Sequence, residues 1–161
     1  MVKLSYSKRG AATAQGFLEI EGLADAIKLL KTFDKTMNQE AREASQRIAQ
    51  RESERITAAA RRSSPQSALV ASSVRVRRDR MPAIAVGGGK KVAVSGPRKS
   101  RPSAGDLFFG AEFGAMAYKQ FRIHRGREGY WFWPTLRDDG PWMGQQWIGA
   151  LQAIADEWGG G

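Results

Sequence analysis

The chain has no cysteine and only one histidine, His124, in 161 residues. The first absence excludes disulfides, thiolate nucleophiles and sulfur-ligated metals, and it suits a reducing compartment. The second leaves no histidine cluster for a metal and no recognisable partner to orient a catalytic base. Apolar runs span only a few residues, so no membrane span is expected. The opening, MVKLSYSKRGAATAQGF, carries charge but no apolar core of a secretory signal. Aromatics are scarce over the first hundred residues: Tyr6, Phe17 and Phe33 alone precede residue 105, and the other twelve follow it. Acid is scarce in the middle, where residues 63–105 hold nine Lys/Arg against a single Asp79.

What remains is enough for one domain with a core, since 42% of the residues are hydrophobic. The net charge of +10 draws such a chain toward nucleic acid, acidic protein surfaces or anionic lipid. The charge is polarised, because residues from 106 onward carry five Lys/Arg against seven Asp/Glu.

The periodicities predict an α+β domain with an antiparallel sheet. Residues 1–16 are expected to be a flexible arm or an edge strand, and residues 17–161 a single domain. Leu18 and Ile20 alternate with Glu19 and Glu21 as in a short strand, and Leu23, Ile27 and Leu30 then mark a short helix. Asp34 is placed to cap a long helix running to about Arg62, ended by SSP at 63–65. Its apolar face (Met37, Ala41, Ala44, Ile48, Arg55, Ala59) is thin, so it needs a partner surface from the sheet or a neighbouring subunit. LVASSVRVRRD reads as a strand, with Val74 and Val76 opposite Arg75 and Arg77. AIAV and KVAVS read as a hairpin around a GGGKK tip. That tip lacks the spacing and the following helix of a phosphate loop. Residues 87–105 are expected to form a mobile basic tip and loop, and YKQFRIHR another strand. PTLRDDGPWMGQQWIGALQAIADEW reads as a C-terminal helix with a stripe of Met143, Trp147, Leu151, Ile154 and Trp158. Gly140-Pro141 is expected to break or kink it, and Asp138-Asp139 to cap or precede it.

Asp106 and Glu112 are the only carboxylates that suggest a catalytic pair, and they sit among glycines and aromatics without other catalytic signatures. GDLFFGAEFGA (105–115) and GYWFWPTL (129–136) read instead as a core junction between sheet and C-terminal helix, with glycines giving tight turns and close approach. Glu112 is the residue that packing explains least, and it is expected to bond backbone or an arginine. The candidate interface residues are Arg75, Arg77, Lys90, Lys91, Arg98, Lys99 and Arg101, with Arg47, Arg51 and Arg55 on the long helix and Glu112. The basic group fits phosphates, an acidic protein surface or plain solvation. No catalytic residue, metal ligand or cofactor site is read from the sequence.

The order of these segments resembles the tail-completion, or head–tail joining, family of long-tailed bacteriophages. The resemblance rests on GLADAIKLLKTFD (22–34), NQEAREASQRIAQRESERITAAARRSSP (38–65), FFGAEFGA (108–115) and YWFWPTL (130–136), and covers about four-fifths of the chain. The strand after the long helix lacks the family's G-x-L-x-x-S start, and GPRKSRPSAG is extended. The resemblance implies a virion protein of the neck, not an enzyme, assembled in the host cytoplasm. Its partners would be copies of itself in a ring of six or twelve, and adjacent connector, tail-terminator or tail-tube proteins. Genomic DNA would pass nearby, and no membrane is involved. A tail-terminator ring and a small basic DNA-binding protein are the alternatives.

Overall fold

A computed structural model describes residues 2–4, 13–18, 23–93 and 101–159, with side chains in 25–93 and 101–159. The fold is α+β. Strands β1 (Val2–Leu4) and β2 (Thr13–Leu18) precede helices α1 (Leu23–Thr32), α2 (Lys35–Ser63) and α3 (Pro65–Ala71). Strands β3 (Arg75–Arg77) and β4 (Ala83–Gly87) follow, then α4 (Ala104–Phe113) and α5 (Phe132–Gly159). The four strands form one antiparallel sheet in the order β1-β2-β4-β3.

The long helices run antiparallel against each other and organise the molecule. Asp34 caps α2 as expected, its carboxylate accepting from Met37 N at 2.9 Å. The buried face of α2 is Ala41, Ala44, Ser45, Ile48, Ala49, Glu52, Ser53, Ile56 and Ala60. Arg55 lies off that face and is exposed. Small residues predominate there because α5 approaches closely. The partner that this thin face requires is α5 of the same chain, packed on it through Met143, Trp147, Leu151 and Ile154 together with Leu30 of α1 and Phe33 just after it. Trp147 is fully buried, and its Nε1 donates to Ser45 Oγ at 2.9 Å and to the Arg80 carbonyl at 3.0 Å. Trp158, the last residue of the expected stripe, is 46% exposed. A second apolar cluster fills the other end of the α2–α5 pair, where Ile56, Val70, Ile84, Val86, Phe108, Trp131, Phe132 and Leu136 meet.

Several local expectations change. SSP does end α2, but Ser64 also starts α3: its hydroxyl accepts from Ser67 N at 3.1 Å, with Pro65 in the first turn. Leu69, Val70 and Ala71 are therefore helical, and the strand begins only at Arg75. Among the described residues, AIAV does not pair with Lys91–Ala93 of the expected hairpin, and Val94 and Ser95 lie outside them. β4 pairs instead with β2 and β3, while Lys91 makes a single bridge to Ser103. Local alternation could not reveal that a strand from the chain's start occupies the flank of β4. β1 is the edge strand expected near the start, and β2 lies inside the sheet. YKQFRIHR is irregular rather than a strand. GDLFFGAEF is helix throughout, opened by a capping box in which Ser103 Oγ accepts from Asp106 N and Asp106 accepts from Ser103 N. α5 continues through Pro141, and Asp138 and Asp139 lie within it.

Replacing Trp147 by Phe removes both hydrogen bonds and part of the contact with α2. The expected cost is about 1–3 kcal/mol of unfolding free energy, measured by urea denaturation.

Candidate interaction surfaces

Among the described residues, no group of three or more His, Asp or Glu stands close enough to hold a metal ion. The two carboxylates singled out by the sequence have separate duties. Asp106 is exposed and belongs to the cap of α4, where its bonds to Ser103 hold its carboxyl below the usual range. Glu112, near the end of α4, is completely buried. Its carboxylate accepts backbone N–H groups from Trp131 at 3.2 Å, Phe132 at 2.9 Å and Trp133 at 2.9 Å.

Those donors are the first N–H groups of α5, which have no partner within the helix. Pro134 has no N–H, and Thr135 N donates to the Trp131 carbonyl at 3.2 Å, so every donor of the first turn is accounted for. Gly129, at φ +74°, lets the carboxylate come this close, because a Cβ there would overlap Glu112 Oε1. Gly110 performs a similar service for Phe121, whose ring would stand 2.6 Å from an added Cβ. The glycines, acid, aromatics and proline of residues 105–115 and 129–136 thus form one device that docks the start of α5 onto α4. Burial pushes the Glu112 carboxyl above its usual range, while the N–H groups of Trp133, Phe132 and Trp131 pull the other way.

A second buried acid pair joins α2 to α5. Glu52 is fully buried beside Asp139, and Asp139 Oδ2 meets Arg55 Nε at 2.7 Å. Both Glu52 oxygens lack a hydrogen-bond donor, a poor setting for an anion but one that a protonated carboxyl relieves by donating to Asp139. Burial and then Asp139 push Glu52 up to about 8, against the pull of Arg55.

The basic residues fall into three places. Arg75 and Arg77 are exposed on the edge strand β3. Lys90, Lys91 and Arg101 are exposed beyond β4, and Lys90 Nζ donates to the Ser72 carbonyl at 2.7 Å, close to the start of β3. Arg98 and Lys99 lie outside the described residues. The row on α2 is partly engaged within the chain: Arg51 lies over the Trp142 ring at 4.7 Å and Arg55 pairs with Asp139, while Arg47 is exposed.

A fourth place escaped the sequence reading. The segment 114–130 carries Lys119, Arg122, Arg125 and Arg127, all exposed, together with Met116 at 90% and Ile123 at 82% exposure. It is firmly tied down. Ala115 N donates to Arg122 O at 2.9 Å, Arg125 N to Phe113 O at 2.9 Å and the Tyr130 hydroxyl to Ile123 O at 2.7 Å. Arg122 donates to the Ser63 carbonyl at the end of α2, and its guanidinium lies 5.0 Å from the Tyr130 ring centre. His124 is exposed in the same segment. The alternation of polar and apolar residues from Gln120 to His124 in YKQFRIHR was the available signal, and it describes a presented loop as well as a strand.

Comparison with known protein families, with curated proteins and with solved structures finds no match. No described helix is long and apolar enough to cross a membrane.

Glu112→Ala leaves three buried N–H groups without an acceptor and opens a void, so an unfolding free-energy loss of about 3 kcal/mol or more is expected. Glu112→Gln keeps one acceptor and should lose less, by the same denaturation measurement. The Glu52 site predicts a pH dependence. The folded chain retains a proton that the unfolded chain releases near 4.5, up to about 8. Stability is therefore highest below that window and falls as pH rises through it, by on the order of 2–4 kcal/mol. Glu52→Gln should flatten most of this slope in thermal melts between pH 5 and 8. The dependence that persists in Glu52→Gln belongs to Glu112, whose carboxyl shifts the same way.

Proposed function

We propose that this chain is a structural protein of the bacteriophage neck, a subunit of a homo-oligomeric ring that joins the portal side of the head to the tail. The observation that carries the reading is the ordered motif run. FFGAEFGA and YWFWPTL resemble those of head–tail joining proteins, and here each of their special residues has an architectural task. Glu112 holds α5, Gly129 and Gly110 permit close approach, and Pro134 closes the first turn without an unpaired donor. Buried acids serve helix packing, and the exterior keeps arginines and lysines on an edge strand and on presented loops. Such a surface suits docking between rings or facing a channel through which DNA passes. A tail-terminator ring is a variant of the same reading.

A second reading, a small basic DNA-binding protein, is favoured by the concentration of Arg75, Arg77, Lys90, Lys91 and Arg101 around β3 and the end of β4. It requires duplex binding by the isolated chain that weakens steeply with salt.

Purified particles decide the first reading. The chain should be present in intact virions at a fixed stoichiometry, and particles made without it should accumulate as unjoined heads and tails. Its absence from virions, measured by quantitative mass spectrometry, overturns the proposal.

A further inference from the structure

The large exposed hydrophobic side chains among the described residues are Ile27, Leu29, Met116, Tyr118, Ile123 and Trp158. They occupy the two opposite ends of the α2–α5 pair. Met116, Tyr118 and Ile123 belong to the segment 114–130, which Arg122 fastens to Ser63 at the C-terminus of α2. Ile27 and Leu29 are on α1, packed beside the N-terminal half of α2, and Trp158 ends α5 with its Nε1 donating to Glu40 Oε2 at 3.2 Å. The 29 residues of α2 separate the ends by about 40 Å. One chain therefore cannot bring its own ends together.

The charges at the two ends are opposite. Around Met116, Tyr118 and Ile123 stand Lys119, Arg122, Arg125 and Arg127, with Glu128 the nearby acid, engaged by Arg125 at 3.3 Å. Around Trp158 stand Asp156 and Glu157, with Glu40 of α2 in contact with it, Glu43 further along α2 and no basic residue in the last turn of α5. Lys28 and Lys31 of α1 and Lys35 and Arg42 of α2 moderate this charge, so residues 25–43 and 156–158 hold six acids against four bases, and Lys28 is already matched by Asp25 at 3.3 Å. Two acids on the last turn of a helix oppose its dipole, whose C-terminal end favours cations. That end of α5 gains from an external positive partner.

We infer that copies of this chain associate head to tail, the basic apolar loop 114–130 of one copy seating on the acidic, Trp158-bearing end of α5 and α1 in the next. The contact joins two different patches, so it is heterologous and repeats around an axis to close a ring, or extends as a filament where the rotation does not close. It buries apolar side chains that the monomer leaves in water and pairs their flanking charges. The loop is already held by its hydrogen bonds, which lowers the ordering cost of docking. This inference rests on the ring reading and supplies the surface by which the copies meet.

The test uses the full chain and two charge-reversed versions, Lys119→Glu with Arg127→Glu, and Asp156→Lys with Glu157→Lys. These side chains are exposed, so thermal melts should match the parent. Mass photometry and analytical ultracentrifugation across a salt series should show self-association that weakens as salt rises. Each reversed version alone should associate at least about 10-fold more weakly, and mixing the two should restore association, because each retains the end that the other lacks. Parent chains that remain monomeric at low salt overturn the inference, whereas the ring reading is judged by virion content. Oligomers unaffected by either reversal also overturn it while leaving the ring reading intact, since another surface then joins the copies. Loss of duplex DNA binding in the Lys119→Glu, Arg127→Glu version, without loss of self-association, assigns the loop to DNA and overturns the inference as well.

Discussion

The buried carboxylate of Glu112 against the first turn of α5 is the contact on which the rest of the structure depends. A 28-residue helix begins inside the molecule, and its first N–H groups would otherwise be stranded away from water. A carboxyl acceptor carried by another helix satisfies three of them, proline removes a fourth, and the aromatic side chains of the same turn fill the surrounding core. Because the acceptor sits on α4, the direction in which α5 leaves this point is set from outside α5. Phe108 stands edge-on to Phe109, Trp131 and Phe132 at centroid distances of 5.3–6.0 Å, so packing and capping hold the same joint.

From that joint α5 runs back along α2, and the seam between them is more polar than a simple apolar stripe. Ser45, Trp147 and the Arg80 carbonyl form a linked set, and Glu52, Asp139 and Arg55 form another. Buried polar sets of this kind contribute little net stability compared with apolar packing, but they penalise a slipped register because every displaced partner is left unpaired. The alanine-rich face of α2 would tolerate sliding by a turn, and these sets do not. The same seam gives the molecule its long axis, which carries different charge at its two ends.

Much of this was legible in the sequence where the physics is local. The Asp34 cap, the end of α2 at Ser63, the Met143–Ile154 stripe and the α+β class follow from side-chain chemistry and 3.6-residue periodicity. Glu112 stood out because an acid among glycines and aromatics has no reason to be there without a buried partner, and its partner proved to be backbone. The failures share one cause. The KVAVS segment has the alternation of a strand, yet β4 takes β2 and β3 as neighbours, a choice made by chain segments distant in sequence. FFGAEF escaped recognition as helix because its apolar residues surround the helix instead of lining one side, as befits an element buried on nearly every face.

Sequence alone determined the charge polarity, the absence of cysteine, and the lengths and caps of the long helices, since each depends on composition or on residues within a few positions of one another. The tertiary structure decided what those residues face. It turned Arg51 and Arg55 toward α5 of the same chain, buried Glu52 beside Asp139, and raised the cationic loop 114–130 at the end of the molecule opposite Trp158. Those outcomes depend on helices meeting across more than eighty residues of chain. Local propensity carries no record of such pairings, because the burial and hydrogen bonding that select them exist only once the distant segments have met.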